Sequence, residues 1–401
     1  MLYNQLRDCG SQRYYGIKNE GQVNKYKDRY NTGGCPPLSY MMHTRAERKV
    51  LPYRQPARGA AARSASLELT GKGLNMKKCL RTIVILLAAL LLSGCAKQKE
   101  TAEFEPCYRF DVGGPTAWKE PLKNVRFLTE GSYKLTPLSE DKIEMFGLDP
   151  GTVPDEKGMD TLNISGSAEF SEDQFRKLAA QLRNLAKGKD IYVVDCRIEG
   201  HALLNGISIS WYGDRNWANK GMSLEEAEKD EYERFSSLVG KKITAYAVSD
   251  NVPGESAEIS VDRWMTEKEL VESEGFHYLR LPCQDHSWPY EEAIDMFIDY
   301  VQNIDTDQAW LHFHCHAGKS RTAIFMAIYD MMKNPDVSFE DIMLRHAMTG
   351  SSYFPYVDEN SDIADVYVLR AERIRQVYDY IQEMNGNYSV SWSEWISQKD
   401  S

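Results

Sequence analysis

One stretch restricts the fold of this chain more than any other: Trp310 to Phe325, WLHFHCHAGKSRTAIF. The short apolar run Ala309–Cys315 reads as a strand, Ala317 and Gly318 let the chain curl, and an apolar helix starting at Arg321 stops before Pro335. The same alternation recurs upstream. Ile191–Asp195, Lys242–Val248 and His277–Cys283 read as strands, and helical patterns lie between them. Ser171 opens a helix with Phe175, Leu178, Leu182 and Leu185 on one face and Gly188 at its end. Pro289 stands at the first position of another, striped by Ile294, Phe297, Ile298 and Val301. Ser338 caps a third, a long helix runs from about Ala364 to Gly386, and Ser391–Ser397 reads as a packing helix. This order predicts an α/β layered domain.

Charge narrows the function. The 401 residues carry a net charge of -11, but residues 1–95 hold 16 basic and 5 acidic side chains. The remainder therefore has 32 basic and 54 acidic residues, a balance of -22. So acidic a body excludes general binding to nucleic acid. An anionic substrate must be met by a local basic pocket.

The basic part contains an export signal: Lys77, Lys78 and Arg81 precede an apolar run, Ile83–Leu92, that ends on Leu92-Ser93-Gly94-Cys95. The run is short for a membrane span. Its ending resembles the lipobox of bacterial lipoproteins, which implies a diacylated Cys95 and a lipid anchor on the extracytoplasmic side of a bacterial membrane. Residues 1–75 read as upstream sequence, with initiation at Met76; 76–95 as the signal peptide, 96–110 as a tether and 111–401 as the catalytic domain. Cys107, Cys196, Cys283 and Cys315 are too few for a disulfide scaffold. Spacing leaves open whether Cys196 or Cys283 bridges Cys315.

The segment around Cys315 admits three chemistries. A nucleotide loop requires glycine five residues before Gly318, and that position is Phe313. A metal site would use His312, His314 and His316, which alternate as on one strand face. Metallohydrolase HxHxDH motifs, however, place Asp where His316 stands and His where Ala317 stands. The thiol reading explains most: Cys315 and Arg321 form Cys-x5-Arg, a spacing that none of the other seven cysteines has. A loop curled between strand and helix turns successive N–H groups inward around a phosphate dianion. The helix terminus adds positive potential, which also favours thiolate over thiol. Arg321 can fork onto two phosphate oxygens, and the thiolate attacks phosphorus to give a phosphocysteine that water hydrolyses.

HCHAGKSRT matches the His-Cys-x5-Arg-Ser/Thr signature of cysteine-dependent tyrosine and dual-specificity phosphatases. The resemblance implies a layered domain whose central, mostly parallel sheet is flanked by helices. It implies that His314 orders the loop and that Thr322 assists turnover, with no metal and no cofactor. A leaving alkoxide needs a proton. CQDHSWP places Asp285 thirty residues before Cys315, where this superfamily keeps its general acid. Asp-His-x-x-Pro, LKNVRF, LNISGSAEFSEDQF and VVDCRIEGHALLNGISISWYGDRNWANKG together resemble the bacterial tyrosine-phosphatase-like inositol phosphatases, or cysteine phytases, from about residue 115 to 385. That implies an inositol polyphosphate substrate, with a tyrosine or dual-specificity phosphatase and a non-catalytic phospholigand binder as rivals. Expected substrate contacts are His316, Ala317, Gly318, Lys319, Ser320, Thr322, His286, Arg126, Arg197 and His201, with Arg215 and Lys220 on a wider rim. Glu199, two residues from Arg197, is expected to neutralise it.

Overall fold

The computed structural model describes residues 104–400, so the signal peptide, Cys95 and residues 1–75 lie outside the described residues. Eleven strands are present among the described residues: β1 (Cys107–Phe110), β2 (Arg126–Leu128), β3 (Ile164–Ser167), β4 (Asp190–Asp195), β5 (His201–Leu204), β6 (Ile207–Tyr212), β7 (Lys242–Ser249), β8 (Val252–Ser260), β9 (Trp264–Met265), β10 (His277–Arg280) and β11 (Ala309–His314). The helices are α1 (Glu140–Phe146), α2 (Glu172–Ala186), α3 (Leu224–Ser236), α4 (Glu267–Ser273), α5 (Glu291–Asn303), α6 (Arg321–Lys333), α7 (Phe339–Met348), α8 (Ala364–Met384) and α9 (Trp392–Lys399). None of them is long and apolar enough to cross a membrane.

The domain is α/β, as expected, with a central five-stranded sheet in the order β10-β4-β11-β3-β2. Its first four strands are parallel, and β2 joins antiparallel. Because alternate strand residues face opposite sides, this sheet divides two apolar layers. Leu311, Phe313 and Val194 pack with α5, α6 and α7, whereas Trp310, Ile191 and Val193 pack with Phe175, Leu178 and Leu182 of α2. Helix α6 is the centre of the first layer, buried from Arg321 through Met331. Helix ends follow local chemistry: Ser171 with Gln174, and Thr266 with Glu269, close reciprocal capping boxes at the starts of α2 and α4.

A second sheet, β8-β7-β1-β6-β5-β9, was not anticipated. The segment Lys242–Val248 forms a strand, but in this sheet, as one arm of a hairpin with β8. Asp250 and Asn251 turn the hairpin at positive φ, 48° and 61°. Residues 107–110, read as part of a tether, form β1 instead: Phe110 enters the second sheet's core, and Cys107–Phe110 pair with Ile209–Tyr212. Pro289 precedes α5 by two residues, with Tyr290 at the N-cap. The four cysteines of the described domain are free thiols.

Candidate active site

The carboxyl ends of β3, β4 and β11 lie side by side, with Ser167, Asp195 and His314 in register. Open parallel sheets hold ligands at this edge, and here β11 delivers Cys315 into the loop that ends at α6. Four consecutive loop carbonyls are held from outside. His316 O accepts from the backbone N–H of Glu169 at 3.1 Å, and Lys319 O from that of Ser352 at 3.2 Å. Ala317 O accepts from Asn124 Nδ2 at 2.8 Å and Gly318 O from Arg126 Nη1 at 2.7 Å. Carbonyls turned outward leave the peptide N–H groups turned inward, which is the anion nest expected from the sequence. One of them, Gly318 N–H, donates to Cys315 Sγ at 3.2 Å. Gly318 has φ 69°, and a β-carbon there would lie 2.3 Å from the backbone carbon and oxygen of Ser167. The loop is therefore pressed against β3 at a point only glycine fits.

Ser320 is the N-cap of α6 but makes no side-chain cap bond, so the first-turn N–H groups keep their capacity for an anion. Arg321 is buried on that turn. Its two Nη atoms fork onto Glu199 at 2.6 and 3.0 Å, Nη1 also donates to Cys283 O at 3.2 Å, and Nη2 meets Asp285 Oδ2 at 3.1 Å. Burial opposes its charge, but Asp285, Glu199 and Cys315 outweigh burial and hold it protonated. Glu199 thus neutralises Arg321, and the expected pairing with Arg197 does not form. Sequence proximity misled here because β4 ends at Asp195 and the chain turns before Glu199.

Asp285 is fastened on several sides. Asn216 Nδ2 donates to its Oδ2 at 2.9 Å, Trp217 Nε1 donates to its backbone carbonyl at 2.8 Å, and the His286 N–H donates to its Oδ1 at 3.0 Å. Burial raises its pKa, yet Arg321, His286 and His316 more than reverse this, so the carboxyl lies well below its usual range. His286 and Lys319 are exposed and His316 partly so, with His316 Nδ1 3.6 Å from Asp111. Thr322 is buried and its hydroxyl has no partner.

Arg126 lies beneath the loop. It holds Gly318 O with one nitrogen while its Nε and Nη2 stay buried without partners, and burial lowers its pKa to about 10. Arg197 and His201, expected to face substrate, do not. They are 0% and 1% exposed, inside a layer of paired charges under the site. Arg197 meets Glu267 at 2.6 Å, Glu169 at 2.8 Å, Asp195 at 2.9 Å and Asp111 at 3.4 Å. His201 lies 3.3 Å from both Asp195 and Glu267. Four carboxylates drawn from different elements can be buried together only with such a cation among them. Arg215 pairs with Asp362, and Lys220 lies over the Trp217 ring.

His314 bridges the same layer, 2.7 Å from Glu267 and 3.3 Å from Glu169. Burial lowers its pKa, but the two carboxylates overcome this and push it up to about 10. Glu169, Glu267 and His314 have ligand atoms close enough for a metal, as do Asp195, His201 and Glu267. The residues do not fit one: the Arg197 guanidinium already pairs with Glu169, Glu267 and Asp195, and His314 and His201 are held in their protonated, non-ligating forms. His312 sits on the same strand face but bonds Ser165 and Ser167 at 2.9 and 3.1 Å. His316 lies past the end of β11, off that alternation.

A strand-borne thiol, a carbonyl-out loop, a forked arginine and a fastened carboxyl share one edge of a parallel sheet. The model of the PTP-like phytase family, described by inositol hexakisphosphate, matches residues 194–333, a span containing all four. A PTP-like myo-inositol phosphatase from Mitsuokella multacida, solved in complex with myo-inositol-(1,3,4,5)-tetrakisphosphate, is 34% identical with a TM-score of 0.64, covering 80% of this chain and 54% of that one. Over its described domain the chain is similar to the PTP-like phytases. A PTP-like phytase from Bdellovibrio bacteriovorus is 29% identical with a TM-score of 0.54, covering 73% of this chain and 94% of that one. Effector protein hopD2 of Pseudomonas syringae pv. tomato is 26% identical over 252 residues, 59% of this chain and 52% of that protein. The chain thus spans about half the length of the Pseudomonas and Mitsuokella relatives. Asn124 lies in the LKNVRF segment and Asn216 and Trp217 in the GDRNWANKG segment, yet neither these three nor Ser352 stands out in the sequence as a site residue. Their roles arise from loops that meet only in the fold.

Proposed function

We propose that the protein hydrolyses phosphomonoesters of inositol, phytate and its lower phosphates included, through a phosphocysteine on Cys315 and without a metal. The observation that carries this reading is the loop of four outward carbonyls around Cys315, with Arg321 at its end and Asp285 3.1 Å from Arg321. The thiolate attacks phosphorus, the S–P bond forms as the P–O bond breaks, and Asp285 gives its proton to the departing inositol oxygen. Water then attacks the phosphocysteine and returns a proton to Asp285, releasing phosphate and the thiolate. In the free protein Asp285 is ionised beside Arg321. A bound phosphate draws the Arg321 charge away from Asp285 and adds negative charge nearby. Both effects raise the carboxyl towards its protonated form.

The chemistry of the substrate class supports the assignment further: the family is described by inositol hexakisphosphate, and the Mitsuokella relative was solved with an inositol tetrakisphosphate. Phosphate release from phytate and from a phosphotyrosyl peptide, measured side by side, tests it. Phytate turnover that disappears with Cys315→Ser and persists in chelator is expected. A strong preference for the peptide would replace the substrate, and activity surviving Cys315→Ser would replace the mechanism. We also propose that Cys95 is acylated and anchors the protein outside the cytoplasm. Radiolabelled fatty acid should enter the protein and not its Cys95→Ser variant.

A further inference from the structure

Resting on the reaction proposed above, we propose that Arg370 of α8 is a positioning residue that sets the distance between the acid and the phosphate loop. One of its nitrogens, Nη1, donates to Ser320 Oγ at 2.9 Å and to His286 O at 3.2 Å. Ser320 is the last loop residue before Arg321, and His286 directly follows Asp285. The guanidinium is 9% exposed as a residue, lies 4.5 Å from the Tyr367 ring centroid and 5.3 Å from that of Phe354, and is thereby held in one pose.

A general acid works only within hydrogen-bond reach of the leaving oxygen, while the phosphorus is fixed by the loop. The separation between acid and loop is therefore a catalytic quantity. In the free protein Arg321 helps to set it through its pair with Asp285 at 3.1 Å. That pair weakens at the moment it is needed, because a bound phosphate takes the fork of Arg321 and a protonated Asp285 has no charge to offer. Asn216 and Trp217 hold Asp285 from the β6–α3 connection, and their side-chain bonds go to Asp285 and Glu199 rather than to the phosphate loop. The bonds of Arg370 go to a backbone carbonyl and a hydroxyl, so neither is made to the Asp285 carboxyl itself, although the charge of Asp285 favours the guanidinium.

Backbone geometry supplies a second, independent observation. His286 has φ 64°, a left-handed conformation that costs a side-chain-bearing residue energy and persists only when its surroundings enforce it. The carbonyl of this residue is the one Arg370 holds. Releasing it lets the segment relax and carries Asp285 away from the leaving group, while the four outer bonds to the carbonyls of residues 316–319 still hold the loop around Cys315.

The test compares kcat for an inositol phosphate, whose alkoxide needs a proton, with kcat for nitrophenyl phosphate, whose leaving group does not. Arg370→Met should lower the first by about 10–100-fold and the second by less than about 3-fold. In the Asp285→Asn background Arg370→Met should cause no further loss on the inositol phosphate, since the acid it positions is gone. Equal losses on both substrates, additivity with Asp285→Asn, or a change confined to KM would each overturn the proposal. Should Arg370→Met fail to fold by circular dichroism, Arg370→Lys carries the same comparison. If the unaltered protein hydrolyses neither substrate, the phosphatase reading itself fails, which separates the two outcomes.

Discussion

A β-carbon on residue 318 would lie 2.3 Å from the backbone of Ser167 and 2.4 Å from Ala168 N, and no side-chain rotation relieves a clash with backbone. Gly318→Ala should therefore lose at least about 2 kcal/mol in urea unfolding and lose phosphate affinity as well. A neutral result would mean that the loop does not press on β3. Asp285 allows a different kind of test. Asp285→Asn keeps the shape and its bonds to Asn216 and Trp217 within reach but removes the transferable proton. Turnover of an inositol phosphate should fall by roughly 10²–10⁴, and turnover of nitrophenyl phosphate much less. Equal losses on both would assign Asp285 a structural role. The carboxyl's low pKa in the free protein fits the proposed acid role only if bound substrate raises it.

Among the elements, β11 and its charged underside bear most on the site. His314 is buried between Glu169 and Glu267, and its pKa is raised from about 6.5 unfolded to about 10 folded. A raised folded value means that its contribution to stability is complete below about pH 6.5. That contribution falls as pH rises towards 10, where the folded protein gives up the proton. The urea midpoint should accordingly decline from pH 7 to 10, and His314→Gln should flatten that decline. The same variant leaves two buried carboxylates short of a cation, so it should cost about 3–5 kcal/mol near neutral pH. A midpoint independent of pH in the unaltered protein would show that His314 is neutral when folded. Helix α9 has a simpler part: Trp392 and Trp395 close the far side of the α5–α6 layer, as a packing helix should.

Across the whole molecule, the residues after position 95 balance at -22, so long-range fields oppose a polyphosphate and short-range cations must overcome them. The set of such cations is smaller than the sequence suggested, because Arg197 and His201 lie buried among carboxylates and Arg215 is paired with Asp362. Among the residues expected to meet substrate, Lys319 is exposed on the loop and is our candidate for phosphates not being cleaved. Lys319→Ala should raise KM for phytate several-fold more than KM for nitrophenyl phosphate, and added salt should weaken phytate binding more steeply than binding of the small ester. Equal effects on both substrates would place Lys319 outside the recognition of secondary phosphates.

The sequence by itself determined what local pattern encodes. A unique Cys-x5-Arg, glycine at 318, an apolar strand before and an apolar helix after define the loop, and the resemblance singles out the aspartate thirty residues upstream as the proposed acid. Strand runs and capping residues likewise located β4, β10, β11, α2, α6 and α7, because period and caps are properties of neighbours in the chain. The second sheet was hidden for the opposite reason. β1 has four residues, and β8 is largely exposed and contains Pro253 and Gly254, so neither shows an apolar period of its own. Tertiary structure alone decided which cations are used up by carboxylates. Arg197 and Arg126 look alike in sequence, but one lies among four buried carboxylates and the other keeps two donors free beneath the loop. It also decided that Glu199 belongs to Arg321, and that an arginine 49 residues beyond Arg321 bonds both His286, next to Asp285, and Ser320 of the loop. A charge acquires its role from what lies within a few ångströms of it, and those neighbours come from segments that only folding brings together.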